Sequence, residues 1–348
     1  MKPSYTLLML AGSAFTLSGQ QTFGGPASGY VFDGVERSIR PILGIPGAAY
    51  LGSQSGSQPA QWDSVSVAPN GKRALAVSGL SLSLIPDVSQ PGSFNSVAQL
   101  PGPVSRVVWS GDSTAAATWS VTAGQLQRIT ALDSTPVVHN PIDLSALPGT
   151  IAGWNMSPDG RYVALSSAAS GTASVYLSDS DGAPLPIASL TDPGAVAFSA
   201  DGSSLFVFNG LKRQILIFDL PSGAVAGSLD ASPFEFPKGV AVADREMREA
   251  GAGRHPPPSG VRDLAVSADG AWLYAVGGET LCGYDLAAAQ MPSCSTLEIT
   301  PGSFQSMPGG TLLLNYPRAS GMPLWLLDGK TGQTYFVPSG SATADASL

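Results

Sequence analysis

Charge is scarce in this chain. Of its 348 residues only 12% are Asp, Glu, Lys or Arg, and histidine occurs twice, at His139 and His255. So few Lys, Glu and Arg leave little material for long solvent-facing helices. The balance of 17 basic against 25 acidic residues gives −8, the wrong sign for neutralising phosphates, so nucleic acid is not an expected partner. Two histidines and two cysteines, Cys282 and Cys294, do not make a zinc or copper ligand set, and no metal or other cofactor is expected. A nucleophile paired with a base lacks material as well, so no catalytic residue is assigned. No G-x-S-x-G is present, and GSQSG at 52–56 carries Gln54 where the serine would stand. His139, in STPVVHNPID, reads as a loop residue.

Long apolar runs are also missing: none of 18 residues occurs, so no transmembrane segment is expected in the mature chain. The first twenty residues, MKPSYTLLMLAGSAFTLSGQ, place Lys2 before an apolar run from Tyr5 to Leu17. This is the pattern of a secretory signal peptide, and it is too short to span a bilayer. Residues 1–20 are therefore expected to be removed and the protein exported to the periplasm or beyond the cell. In that setting Cys282 and Cys294 suggest a disulfide. The GYDLAAAQMPS between them has the polar and small residues of a hairpin turn, which would set the thiols opposite each other. Closing such a loop contributes about 3 kcal/mol in the loop-entropy picture. Two buried free thiols are the other arrangement the sequence allows.

What the chain has in quantity is glycine and proline, 41 and 29 residues, a fifth of the whole, alongside 43% hydrophobic residues. Disorder is thereby excluded and frequent turns are implied. The turns are periodic. VSVAPNGKRALAV (65–77), VVWSGDSTAAATW (107–119), GWNMSPDGRYVAL (153–165), VAFSADGSSLFVF (196–208) and LAVSADGAWLYAV (264–276) each read as strand, turn, strand. Aligned on Asn70, Asp112, Asp159, Asp201 and Asp269 they are spaced by 42, 47, 42 and 68 residues, and a weaker copy at 303–316 follows 40 further on at Gly309. A second motif, an apolar strand closed by Asp or a turn and followed by another strand, follows in 173–190, 215–229, 281–297 and 324–337. Four short antiparallel strands in about 42 residues make one blade of a β-propeller. The expected fold is all-β, a single propeller over 28–338, with seven blades the best fit to the length and six or eight the neighbouring counts. YVFDGVERSIRPI (30–42) reads as the second half of a blade that closes the ring beside the last one, completed either by Ile45 to Leu51 or by the C-terminal tail, 339–348, which is otherwise a flexible end.

Asn70-Gly71, SPDG at Ser157 to Gly160, and SADG at Ser199 to Gly202 and at Ser267 to Gly270 resemble the turn motif of bacterial WD-like, YVTN-type and TolB-like propellers. Phe218-Asp219 and Leu327-Asp328-Gly329-Lys330-Thr331-Gly332 resemble the strand ending of those and of PQQ-type propellers. The resemblance implies a fold and no particular activity. The full YVTN tetrapeptide is missing, and the single Trp62-Asp63 precedes a first strand. Because the aspartates at the turns recur once per blade, they read as turn formers rather than as a catalytic cluster.

One segment breaks the repeat. Residues 234–260, with an insertion loop over 238–260, hold eight of the 42 charged residues, together with His255 and three consecutive prolines. Arg245, Arg248, Arg254 and His255 are the candidate binding residues there, since function on rigid scaffolds concentrates in such loops. The expected function is binding, a monomeric exported scaffold for a protein or small ligand. A propeller enzyme, lactonase-like or a quinone-dependent dehydrogenase subunit, is the alternative, and a structural envelope component a third reading.

Overall fold

A computed structural model describes residues 26–56, 62–169, 173–179, 182–234, 260–288, 291–316 and 322–338. Residues 1–20, expected to be a signal peptide, the segment with Arg245, Arg248, Arg254 and His255, and the tail from 339 lie outside the described residues. What is described is all-β, seven antiparallel sheets in chain order and one three-residue helical turn at Pro308–Gly310. Blades 2, 4, 5, 6 and 7 have four strands each, and in blade 3 the outer strand is split into Val137–Val138 and Ile142–Asp143. The first strands, Ala27–Asp33, Ser64–Val67, Arg106–Trp109, Thr150–Met156, Pro193–Phe198, Asp263–Val266 and Ser303–Ser306, approach one another around the axis. Burial falls outward from them: Pro193–Phe198 is almost wholly buried, whereas Ser293–Thr296 is exposed throughout.

There is no single central core. Among the described residues seven apolar clusters occur, and each bridges two neighbouring blades. A sheet buried on both faces needs apolar residues at successive positions, which is why strands such as SLFVFN (204–209) read as runs rather than alternations. The low charge of the chain follows from this stacking.

The turn joining first to second strand repeats one set of hydrogen bonds. In blade 4 the Ser157 hydroxyl donates to Asp159 Oδ1 (2.6 Å) and accepts from the Tyr162 N–H (2.9 Å), while Asp159 Oδ1 accepts from the Arg161 N–H (3.0 Å). Blades 3, 5 and 6 reproduce it at Ser110/Asp112, Ser199/Asp201 and Ser267/Asp269. Gly160 takes φ 72° in this turn, a left-handed conformation that favours glycine. The aspartates are turn formers, as their periodicity implies. Blade 2 has Ala68 where the serine would be, and Asn70 alone caps the turn through the Lys72 N–H (2.9 Å).

These bonds depress the carboxyl pKa values. Asp201 is pulled down to about 2, first by the Ser199 hydroxyl and then by the N–H and hydroxyl of Ser203. Asp269 is lowered chiefly by Ser267 and the Ala271 N–H. At Asp159 burial pushes upward, but the Ser157 hydroxyl and Arg161 outweigh it. A folded-state pKa below the unfolded 3.8 adds stability that is present above that value and lost as pH falls toward about 2. The melting temperature is therefore expected to hold from neutral pH to about 4 and to drop below it, with a shallower drop in S199A than in the parent. Thermal unfolding followed by circular dichroism from neutral pH down to about 2 checks this, and equal drops in the two proteins would refute the assignment.

Blade 1 corrects one expectation. Ala27–Asp33 is the first strand of its sheet, so residues 30–42 belong to the first half of a blade and not the second. Tyr50–Leu51 supplies the third strand, and the chain continues along the second through Gly52 N–H to Pro41 O (2.8 Å) and Ser55 N–H to Ile39 O (2.9 Å). No fourth strand occurs among the described residues of this blade. A buried ion pair firms it instead: Arg40 meets Asp33 at 3.1 Å and donates through Nε to Gly52 O (2.8 Å). Blade 1 packs against blade 7 through Val31, Ile42, Leu51, Met307, Leu326 and Val337, so N-terminal strands do close the ring.

Candidate functional site

Each first strand begins on the face where one blade passes to the next and ends on the face of the Ser-x-Asp-Gly turns. The ends flanking the insertion, Phe234 and Gly260, lie on the former. Along the axis runs a cavity of about 660 Å³, lined by the first strands of blades 2 to 7 and by their turns. A propeller strand stands edge-on to such a channel, so its wall offers main-chain polar groups. Two amide side chains already use them: Gln305 donates to Val67 O (3.2 Å) and Asn155 to Val196 O (3.3 Å). Trp109 Nε1 donates to Ser66 Oγ (3.1 Å), tying blade 3 to blade 2.

At the blade-passing end, one ion pair crosses the channel. Arg106 opens the first strand of blade 3 and Asp263 that of blade 6, on opposite sides of the axis, and Nη2 lies 3.2 Å from Oδ2. The guanidinium carbon sits 5.9 Å from the Trp154 ring centroid on blade 4, within cation–π range. Asp263 Oδ2 also accepts from the Phe304 N–H (2.9 Å), and Oδ1 from the Leu264 N–H (3.0 Å). The Asp263 side chain is 6% exposed and that of Arg106 27%. The acid is thus built into the wall, while the base projects into the cavity. Nε and Nη1 of Arg106 have no protein partner among the described residues.

This pair was not singled out in the sequence, although a cue exists. Both residues stand six positions before the turn aspartate, at Asp112 and Asp269. The equivalent positions elsewhere hold Ser64, Gly153, Ala195 and Ser303. Gly153 shows why small residues suit the position: a Cβ there would come within 2.6 Å of Gly194 O on the next blade. Two charges of opposite sign where the repeat keeps small side chains stand out once the blades are stacked.

The other predicted features resolve simply. Cys282 and Cys294 pair across adjacent strands as a disulfide, and no free cysteine remains. His139 Nε2 lies 2.9 Å from Thr130 Oγ1 in blade 3, away from the axis. Among the described residues no three His, Cys, Asp or Glu side chains converge on one point, and no helix is long and apolar enough to cross a membrane.

No protein-family model matches the chain, and no curated protein sequence does. Solved structures do. A 6-phosphogluconolactonase so named provisionally, from Bacteroides uniformis, superposes with TM-score 0.56 at 17% identity, over 88% of this chain and 93% of that one. The periplasmic gluconolactonase of Pseudomonas aeruginosa gives 0.56 at 17%, over 90% and 96%. A functionally unknown protein of Desulfotomaculum acetoxidans gives 0.55 at 14%, over 90% and 96%. At these identities the likeness establishes the fold: the chain is a seven-bladed β-propeller whose structural neighbours include gluconolactonases.

Proposed function

We propose that the protein is a lactonase-type propeller hydrolase that opens a small polar ring ester in the axial cavity. The observation that carries the reading is Arg106: a guanidinium fixed at one edge by Asp263 and along one face by Trp154, with its remaining N–H donors beside a half-open cavity of mixed polar and apolar lining. Such preorganised donors stabilise an ester carbonyl as it becomes an oxyanion. Water adds to the ring carbonyl carbon, the ring C–O bond breaks, and the proton released by the water passes to the departing ring oxygen. The product is an open-chain hydroxy acid, which then ionises. Asp263 already accepts three hydrogen bonds, so it acts by holding Arg106 and not by taking a proton. The two lactonase neighbours support this class of substrate above the scaffold role expected from sequence. Export is compatible with it, and so is the binding role expected from sequence for Arg245, Arg248, Arg254 and His255.

The test is hydrolysis of D-glucono-δ-lactone by the purified protein, followed by proton release against the spontaneous rate. Turnover that saturates with lactone is the expected result. A rate equal to the spontaneous one, in protein whose melting curve shows it folded, would return the cavity to a binding role.

A further inference from the structure

We infer that the axial cavity takes uncharged ligands and rejects anionic ones, and that Asp263 is the residue that sets this selectivity. The inference rests on the cavity being the ligand site proposed above, and it names the substrate class: a ring ester bearing neither phosphate nor carboxylate.

Among the described residues the cavity lining holds one cation, Arg106, and two carboxylates, Asp112 and Asp263. Neither carboxylate is available for neutralisation by a ligand. Asp112 is engaged in its own turn by the Ser110 hydroxyl (2.6 Å) and by the N–H and hydroxyl of Thr114 (both 2.9 Å). Asp263 is anchored by the Phe304 and Leu264 N–H groups independently of Arg106. It therefore stays in place whether or not Arg106 engages a ligand. Over the described lining one cation stands against two carboxylates, the Arg106–Asp263 pair balanced at one end of the channel and Asp112 adding a negative charge at the turn face.

Sites that hold phosphate or carboxylate bring several cations together, or a helix N-terminus. Here, among the described residues, the partner of the one lining cation is already a carboxylate, and the helical segment beside the cavity has three residues. What Arg106 still offers is its free Nε and Nη1 hydrogens, which suit a neutral carbonyl oxygen. The same balance acts on the product. Ring opening turns a neutral ester into a carboxylate within a cavity of like charge, so the reaction creates the charge that expels its product. Asp263 is thus a positioning residue with a second consequence, the asymmetry between neutral substrate in and anion out.

Calorimetric titration of the full chain with D-gluconolactam, an uncharged analogue that is not hydrolysed, and with D-gluconate tests this without turnover. The wild type is expected to bind the lactam at least about tenfold more tightly than gluconate. Asp263→Asn, which keeps the shape and one acceptor oxygen, is expected to tighten gluconate at least about tenfold while changing lactam affinity less. Wild-type binding of gluconate as tight as that of the lactam, or gluconate affinity unmoved in D263N, would overturn the inference. Should D263N not fold, the wild-type comparison decides alone. Selectivity for the lactam without any lactone turnover would refute the hydrolase reading and leave the charge selectivity standing, whereas turnover without selectivity would do the reverse.

Discussion

Arg106→Gln is expected to lower kcat/KM for the lactone about a hundredfold, with the loss falling on kcat. Glutamine keeps a donor on the strand but cannot reach across the axis, carries no charge and cannot place two parallel N–H groups. An interaction used only when the carbonyl becomes an oxyanion is lost from kcat, whereas one used equally by bound ester and transition state would appear in KM. Arg106→Lys is expected to recover little, because its charge is a point on a flexible stem rather than a planar fork. The fold should survive both changes, since Asp263 keeps its two main-chain donors. Initial rates over a range of lactone concentration, with melting curves beside them, check the point. A KM effect with kcat untouched would make Arg106 a docking group and not an electrophilic one.

Trp62→Ala is expected to cost about 3–5 kcal/mol of stability, the usual range for deleting a buried large aromatic. Trp62 is 1% exposed and wedged between blades 1 and 2 with Ile39, Val65, Ile85 and Val88. Its ring meets Phe94 edge-on at 6.1 Å, and its carbonyl accepts from Arg37 Nε (2.9 Å). Since blade 1 has three strands among the described residues, this wedge carries more of its attachment than the others carry for theirs. Phe94, 39% exposed, should cost clearly less when truncated. Urea unfolding of the two variants beside the parent gives both numbers, and similar small losses would mean that blade 1 is held elsewhere.

The architecture was readable because its local chemistry recurs. Ser-x-Asp makes the same turn wherever it stands, so four of the seven blades announce themselves, three of them with the following Gly, and the strand ending at Asp219 or Asp328 marks the second halves of blades 5 and 7. That second cue misled at residues 30–42. VFDG looks like the IFD of blade 5, but an aspartate closing a strand caps any hairpin: Asp33 accepts from the Val35 N–H (3.1 Å) as Asp219 does from the Ser222 N–H (3.2 Å). The motif reports a turn and not the place of its strand in the sheet. The site was less legible for a different reason. Arg106 and Asp263 are 157 residues apart, and nothing local to either predicts the other. Only the ring, by carrying blades 3 and 6 to opposite sides of one axis, makes them partners, whereas the conspicuous charge of 238–260 drew attention through composition alone.

The closure between blades 1 and 7 has a mechanical consequence. Among the described residues neither sheet borrows a strand from the other, and apolar side-chain packing joins them. The molecule is a split washer rather than a hoop. Tension applied at Pro26 and Pro338 would open that slit first and then strip sheets singly from either side, so a force trace should show a staircase of small steps instead of one large rupture. The strut from Arg106 to Asp263 ties blade 3 to blade 6, and would part when the second sheet is stripped from the C-terminal side.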